Sequence, residues 1–255
     1  MSDLRALVRR PSSHLSDGLV THIEKTQIDQ PLAEQQWRDY VKALADNGFR
    51  PLDVEPVDDC ADGVFIEDAV VVYGDLAVIS RPGALERRGE TDTARAAAEA
   101  AGLRIAEITA PGTLDGGDVL KVGTTVYVGN TRRTNGAAIA QLRELLAPEG
   151  FTVVEVPTTK VLHLKSAITA LPDGTVIGYP PLVDDPTAFA NFLAVPEEAG
   201  AHVVLLGGNR LLMAASAPQT AELFRTMGFE PVVVDISEYE KLEGCVTCLS
   251  VRLRS

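Results

Sequence analysis

The chain has little with which to cross-link itself, ligate metal or grip nucleic acid. Its 255 residues include three cysteines, Cys60, Cys245 and Cys248, and four histidines. Three cysteines cannot make the paired framework of a small secreted protein, and Met1 to Arg10 holds no apolar segment of the signal-peptide kind. The cytosol is therefore the expected compartment. Lysine and arginine number 23 against 36 acids, giving a formal charge of −13. A protein that binds phosphate backbones presents a basic face, so no nucleic-acid partner is expected. No apolar run approaches the ~18 residues of a membrane helix, so no membrane partner is expected either. The acidity suits a solvated surface and would also attract a small cation. Hydrophobic residues at 45% and charged ones at 23% give an ordinary globular balance, long enough to bury a substantial core.

What is present is organised around Thr113-Leu114-Asp115-Gly116-Gly117-Asp118, followed by Val119 to Val122, Gly123-Thr124-Thr125 and Val126 to Val128. The two apolar runs around a glycine read as a tight hairpin. Asp115 and Asp118 flank glycines that permit a close approach, a place to hold a cationic group. The pattern recurs on both sides. Glu67-Asp68 precedes a hairpin of Ala69 to Tyr73 and Leu76 to Ser80, and His163-Leu164-Lys165 precedes one of Ser166 to Ala170 and Thr175 to Gly178. Asp68 and Asp118 are 50 residues apart and Asp115 and His163 are 48 apart, a period that marks stacked or radial repeats.

Between hairpins the chain alternates helix and strand. Leu4 to Arg10 reads as a strand. Pro31 to Asn47 reads as a helix, with Trp37, Tyr40, Val41 and Leu44 at i, i+3, i+4 and i+7 and Gly48 as its stop. Further helices are expected over Thr91 to Ala101, from Asn135-Gly136 to Leu146, around Thr187 to Leu193 and over Thr220 to Met227. Strands are expected at Leu52 to Val57, Leu103 to Ile108, Thr152 to Val156, His202 to Leu206, Leu211 to Ala215, Pro231 to Val234 and Thr247 to Leu253. Strand, strand, helix, strand repeats about five times with no linker between halves, so the expectation is one α/β domain closed as a ring. Polar first strands would face inward and helices outward, with the N-terminal strand completing the unit begun at the C-terminus. A doubly wound sheet expects one strand per helix, and Gly207-Gly208 lacks the G-x-G-x-x-G spacing of a dinucleotide fold.

If the hairpins share an axis, Glu67, Asp68, Asp115, Asp118 and His163 converge with Cys248 at the start of the last strand. A thiol, an imidazole and several carboxylates then offer a nucleophile, an acid-base group and a cation-binding set. Cys245 and Cys248 form a C-x-x-C, yet one pair supplies only two ligands and no partner motif exists for structural zinc. A thioredoxin-like pair would open a helix rather than a C-terminal strand.

Six segments, Phe65-Ile66-Glu67-Asp68, Ile79-Ser80-Arg81-Pro82-Gly83-Ala84, Thr113 to Leu120, Val128 to Asn135, His163 to Ser166 and Gly244 to Ser250, together resemble the dimethylarginine dimethylaminohydrolase family. The resemblance runs from Leu7 to Leu253 and implies the pentein fold, a five-bladed α/β propeller of ββαβ repeats. It implies Cys248 as nucleophile, His163 as proton donor and base, and Asp115 as the acid behind the histidine. For substrate it implies Asp62, Glu67 and Asp68, with Arg87 and Arg133 as carboxylate binders and Leu19 and Leu242 as contacts from loops. The implied reaction turns methylated arginine into citrulline and a methylamine through a covalent thiouronium, with no metal and no cofactor. An arginine deiminase or amidinotransferase shares the chemistry, but deiminases are longer and carry His-x-Asp where Lys165 stands here. A ribosome anti-association propeller shares the ring and lacks the Cys and His pair. A homodimer is compatible with these features.

Overall fold

Short aliphatic runs that turn at glycine build four of the five sheets in the computed structural model, which describes residues 4–254. Gly123, with φ of 58°, occupies the left-handed region that its hairpin requires. The first blade holds β1 (Leu4–Arg9), α1 (Gln30–Asp46) and β2 (Arg50–Val54). The second holds β3 (Val70–Tyr73), β4 (Leu76–Ile79), α2 (Glu90–Ala100) and β5 (Arg104–Glu107). The third is β6 (Val119–Val122), β7 (Thr125–Asn130), α3 (Gly136–Leu146) and β8 (Thr152–Pro157). The fourth is β9 (Ile168–Ala170), β10 (Val176–Gly178) and β11 (Phe192–Ala194). The fifth is β12 (Val204–Gly207), β13 (Arg210–Ala214), α4 (Pro218–Thr226) and β14 (Glu230–Val234). A short helix, α5 (Ser237–Glu240), then leads to β15 (Val251–Arg254).

Five three-stranded sheets result among the described residues; in four an antiparallel hairpin is joined to a parallel return strand, and in the remaining one the antiparallel pair comes from the two ends of the chain. The ring closes as expected, because β15 pairs antiparallel with β1, Leu7 opposite Val251, and β1 pairs parallel with β2. The first blade is thus assembled from both ends of the chain. One strand of each blade, β3, β6, β9, β12 and β15, lines a central channel of about 530 Å³. These inner strands are mostly valine and leucine rather than polar. The polar residues sit one turn earlier, on 3-10 turns at Ile66–Asp68, Gly116–Asp118 and Leu164–Ser166.

Two expectations are corrected. Thr187 to Leu193 is not a helix: Pro186–Ala188 makes one 3-10 turn and Phe192 opens β11. Pro180, Pro181 and Pro186 remove backbone donors there, and too few residues remain to nucleate an α-helix. Cys248 does not begin a strand. It ends a turn closed by its own N–H donating to the Cys245 carbonyl at 3.1 Å, three residues before β15.

Apolar clusters bridge adjacent blades. Leu7, Val54, Ile79, Ala94 and Leu253 join the first blade to the second, and Val78, Val126, Ile139 and Leu146 join the second to the third. Helix α1 starts at Asp29, whose carboxylate accepts the Leu32 N–H, with Pro31 in its first turn. It buries Trp37, Tyr40 and Leu44. The Tyr40 hydroxyl meets the Val246 carbonyl and the Ser250 hydroxyl, each at 2.7 Å, and so pins both sides of the turn that carries Cys248. Tyr40→Phe leaves two buried groups short of a partner and should cost about 1–3 kcal/mol, read as a lower midpoint in urea denaturation. An unchanged midpoint would remove Tyr40 as the anchor.

Candidate active site

The three 3-10 turns approach one another so closely that side chains at two positions are forbidden. A Cβ on Gly116 would stand 2.0 Å from the Glu67 carbonyl oxygen, and one on Gly117 would stand 2.6 Å from His163 Nδ1 and 2.7 Å from Asp68 Oδ1. Glycine therefore brings blades two, three and four together at the mouth. The Gly117 N–H uses the approach to donate to Asp68 Oδ1 at 2.8 Å.

His163 stands between two acids. Its Nε2 is 3.0 Å from Asp115 Oδ2 and its Nδ1 is 3.9 Å from Asp68 Oδ1. Burial alone would lower its pKa, but Asp68, Asp115 and Asp118 outweigh that and raise it to about 9. That direction favours the protonated ring at neutral pH. Asp115 is fully buried, accepting the Gly83 N–H at 2.9 Å and facing Arg133 Nη1 at 3.4 Å. Asp68 accepts from Arg87 Nη1 at 2.5 Å. Burial opposes its ionisation, yet His163 and Arg87 hold its carboxyl well below the usual range. Cys248 faces the opposite influence: the adjoining Cys245 thiol, burial and the Glu67 and Asp68 carboxylates push its thiol well up.

Of the residues the sequence singled out, Leu19, Asp62, Asp68, Arg87, Arg133, His163, Leu242 and Cys248 line a single cleft, with Asp115 directly behind the imidazole. Glu67 lies elsewhere. Its carboxylate is 2.6 Å from Lys165 Nζ, accepts the Thr247 hydroxyl at 2.9 Å, meets Arg252 at 3.3 Å and lines the central channel. That cluster forms a floor under the cleft rather than part of its wall. Asp118 holds backbone together instead of a ligand, accepting the Leu164 N–H at 2.9 Å and the Thr131 hydroxyl at 2.8 Å, and burial pushes its carboxyl up to about 6.

Arg87 is held more tightly than a free carboxylate binder would be. Its Nε and Nη2 donate to Glu90 at 2.8 Å, and Nη2 also faces the Asp62 and Phe65 carbonyls at 3.2 Å. One hydrogen on Nη1 is left over for a ligand. Arg133 has only the long contact to Asp115 within the cleft. Asp62 accepts the Leu19 N–H, and Glu243 accepts the Thr21 and His22 N–H groups at 2.7 and 2.8 Å. The segment from Gly18 to His22 is thereby drawn over the mouth, and the cavity beneath it is about 20 Å³.

Glu90 and Glu243 escaped the reading of the sequence. Glu90 carried a faint signal, three residues after Arg87 in a helical first turn; Glu243 carried none, since its partners lie more than 200 residues away. Asp68, Asp115 and His163 offer ligand atoms within 4.8 Å of one another. The same three buried side chains make a small acid-rich pocket that suits a cation. Among the described residues no helix is long and apolar enough to cross a membrane.

No family model matches the chain. It is 61% identical to an N(G),N(G)-dimethylarginine dimethylaminohydrolase of Streptomyces coelicolor, covering all of this chain and 98% of that one. A protein of the same name from Pseudomonas aeruginosa is 33% identical, over 96% of this chain and 98% of its own. Among solved structures, a cysteine-to-serine variant of the Pseudomonas aeruginosa enzyme complexed with citrulline superposes with a TM-score of 0.90 at 32% identity, covering 98% of each chain. The N-terminal domain of ArgZ, an arginine dihydrolase, reaches 0.88 at 21% identity, over 98% of each chain, a likeness of fold.

The charge state of His163 is directly measurable. Its ring resonances should titrate near pH 9, and Asp115→Asn should move that titration down; a midpoint near 6.5 would mean that the acids do not hold the proton.

Proposed function

Because the chain belongs to the dimethylarginine dimethylaminohydrolase family, we propose that this cleft hydrolyses asymmetric dimethylarginine and monomethylarginine to citrulline and the corresponding amine. The observation that carries the reading is an imidazole held between the side chains of Asp115 and Asp68 in the cleft that also holds the Cys248 thiol.

The substrate's guanidinium is planar and positive, and Asp68, aligned by Arg87, is the carboxylate available to it in the cleft. Its arrival offsets the negative field that keeps Cys248 protonated, so the thiol releases its proton as substrate binds. The thiolate adds to the guanidinium carbon. As the bond to the methylated nitrogen breaks, His163 gives that nitrogen its proton, and dimethylamine or methylamine leaves a thiouronium on Cys248. Neutral His163 then takes a proton from water, the hydroxide adds to the same carbon, the C–S bond breaks and citrulline departs. Asp115 keeps the ring oriented throughout. Arg133 and the spare Arg87 hydrogen suit the amino acid carboxylate, with Asp62 near the same amino acid end. These groups carry out the steps without a metal or cofactor, and a reducing cytosol keeps the thiol available. Entry requires the Gly18 to His22 segment to lift, since the cavity beneath it is far smaller than the few hundred Å³ that ligand sites usually offer.

Selectivity follows from Lys165. Where a deiminase would place an acid two residues after the histidine, this chain places a cation locked to Glu67 at 2.6 Å. An acid at that position could accept from a bare leaving nitrogen; with none there, a methylated nitrogen leaves fewer groups unpaired than a bare one.

Incubation with asymmetric dimethylarginine should release citrulline and dimethylamine in equal amounts. Monomethylarginine should also react, symmetric dimethylarginine should not, and arginine should react poorly; a higher kcat/KM for arginine than for asymmetric dimethylarginine would contradict the assignment. Arg133→Ala should raise KM by the loss of about 2–5 kcal/mol while sparing methylguanidine, which has no carboxylate.

A further inference from the structure

The sulfur atoms of Cys245 and Cys248 lie 3.3 Å apart, and the reaction above uses only one of them. The Cys245 N–H also points at Cys248 Sγ, 3.4 Å away, and Cys245 Sγ is 3.2 Å from the Thr247 hydroxyl. The hydrogen bond from Cys248 N–H to the Cys245 carbonyl makes these four residues a tight turn. Such a turn brings its outer Cα atoms within about 7 Å, and disulfides span Cα separations of about 4.4–6.8 Å. The sulfurs can therefore be joined with small side-chain rotations, and Tyr40, bonded to Val246 and Ser250, holds the frame while they turn.

The two thiols differ in access. Cys248 is partly exposed in the cleft, whereas Cys245 is 6% exposed behind it, in the wall of a separate cavity of about 470 Å³. An oxidant entering the cleft meets Cys248 first and leaves Cys245 reduced and in contact. Cys60 has no such arrangement: its thiol donates to the Glu86 carbonyl at 3.4 Å.

We propose that Cys245 is a resolving thiol, which captures Cys248 after a hydroperoxide has oxidised it and closes a reversible Cys245–Cys248 disulfide. The proposal rests on Cys248 being the reactive thiol of the cleft. In the first step Cys248 Sγ attacks one peroxide oxygen, the O–O bond breaks, and the thiol proton passes to the departing oxygen, leaving a sulfenic acid and one water (or alcohol). In the second, Cys245 Sγ attacks the sulfenic sulfur; the S–S bond forms as the S–O bond breaks, and the hydroxyl leaves as water with the Cys245 proton. Two electrons pass from two thiols to one peroxide. The disulfide stops turnover by occupying the nucleophile, and it also prevents further oxidation to the irreversible sulfinic acid.

The test treats the purified full chain with excess hydrogen peroxide, then with dithiothreitol, following dimethylarginine turnover and the masses of peptides digested without reductant. The wild type should lose activity, yield a 245–248 peptide lighter by two hydrogens, and recover most of its activity on reduction. Cys60→Ser should behave the same way. Cys245→Ser, compared with its own untreated activity, should lose turnover without recovery and carry sulfinic or sulfonic acid on Cys248. Equal recovery in Cys245→Ser and wild type, or wild-type Cys248 overoxidised while Cys245 stays a free thiol, would overturn the proposal. The peptide masses decide the matter even if the chain fails to turn over dimethylarginine, so failure of the disulfide and failure of the proposed activity are told apart.

Discussion

A carboxylate without water must be given positive charge, and in this chain the buried Asp68 is given two, the Arg87 guanidinium at 2.5 Å and the His163 imidazolium at 3.9 Å. Much of the site depends on that arrangement. Arg87 can stay charged in so dry a place because Glu90 takes its other edge, and His163 can stay protonated because Asp115 takes its far nitrogen. Breaking a buried pair of this kind typically costs about 3–5 kcal/mol, since the partner is left charged and unpaired. The network is thus already set to receive one further cation and to give up one proton.

The propeller supplies the geometry. Each blade begins with a short turn at the same end of the ring, and the glycines at 116 and 117 let the turns of three blades meet at backbone distance. Side chains from separate blades then face one another with no long loops between them. Closure of the first blade by β15 and β1 places the Cys248 turn against α1, so the turn is fixed by residues from both ends of the chain. Lys165 and Arg252 share the Glu67 carboxylate in a polar cluster that lines the central channel and not the cleft.

Much of this was legible in the sequence because it is written locally. Valine runs around Gly123 announce a hairpin, and a spacing of 50 residues between Asp68 and Asp118 announces a repeat. The residues that converge, Asp68, Asp115, His163 and Cys248, were found because they occupy matching repeat positions. What stayed hidden depends on partners distant in sequence. Glu67 and Asp68 are neighbours and look alike, yet one turns to the floor and the other to the cleft, because Lys165 and Arg252 lie on one side and Arg87 and Gly117 on the other. Likewise, the absence of a helix in the fourth blade follows from a cluster of prolines that the apolar pattern around Thr187 did not outweigh. The C-x-x-C looked like the head of a strand; the hydrogen bond that closes it into a turn is what sets its sulfurs side by side.

The central claim is that Cys248 attacks the guanidinium carbon while His163 supplies the proton. Mixing the protein with excess asymmetric dimethylarginine, quenching in acid within the first turnovers and measuring the mass of the Cys248 peptide tests it most directly. The account predicts a transient adduct on Cys248 that has lost dimethylamine, and its formation should slow sharply in His163→Gly, which lacks the acid that protonates the departing amine. Citrulline formed with no adduct on Cys248 at any time, or formed at an undiminished rate by Cys248→Ser, would contradict it.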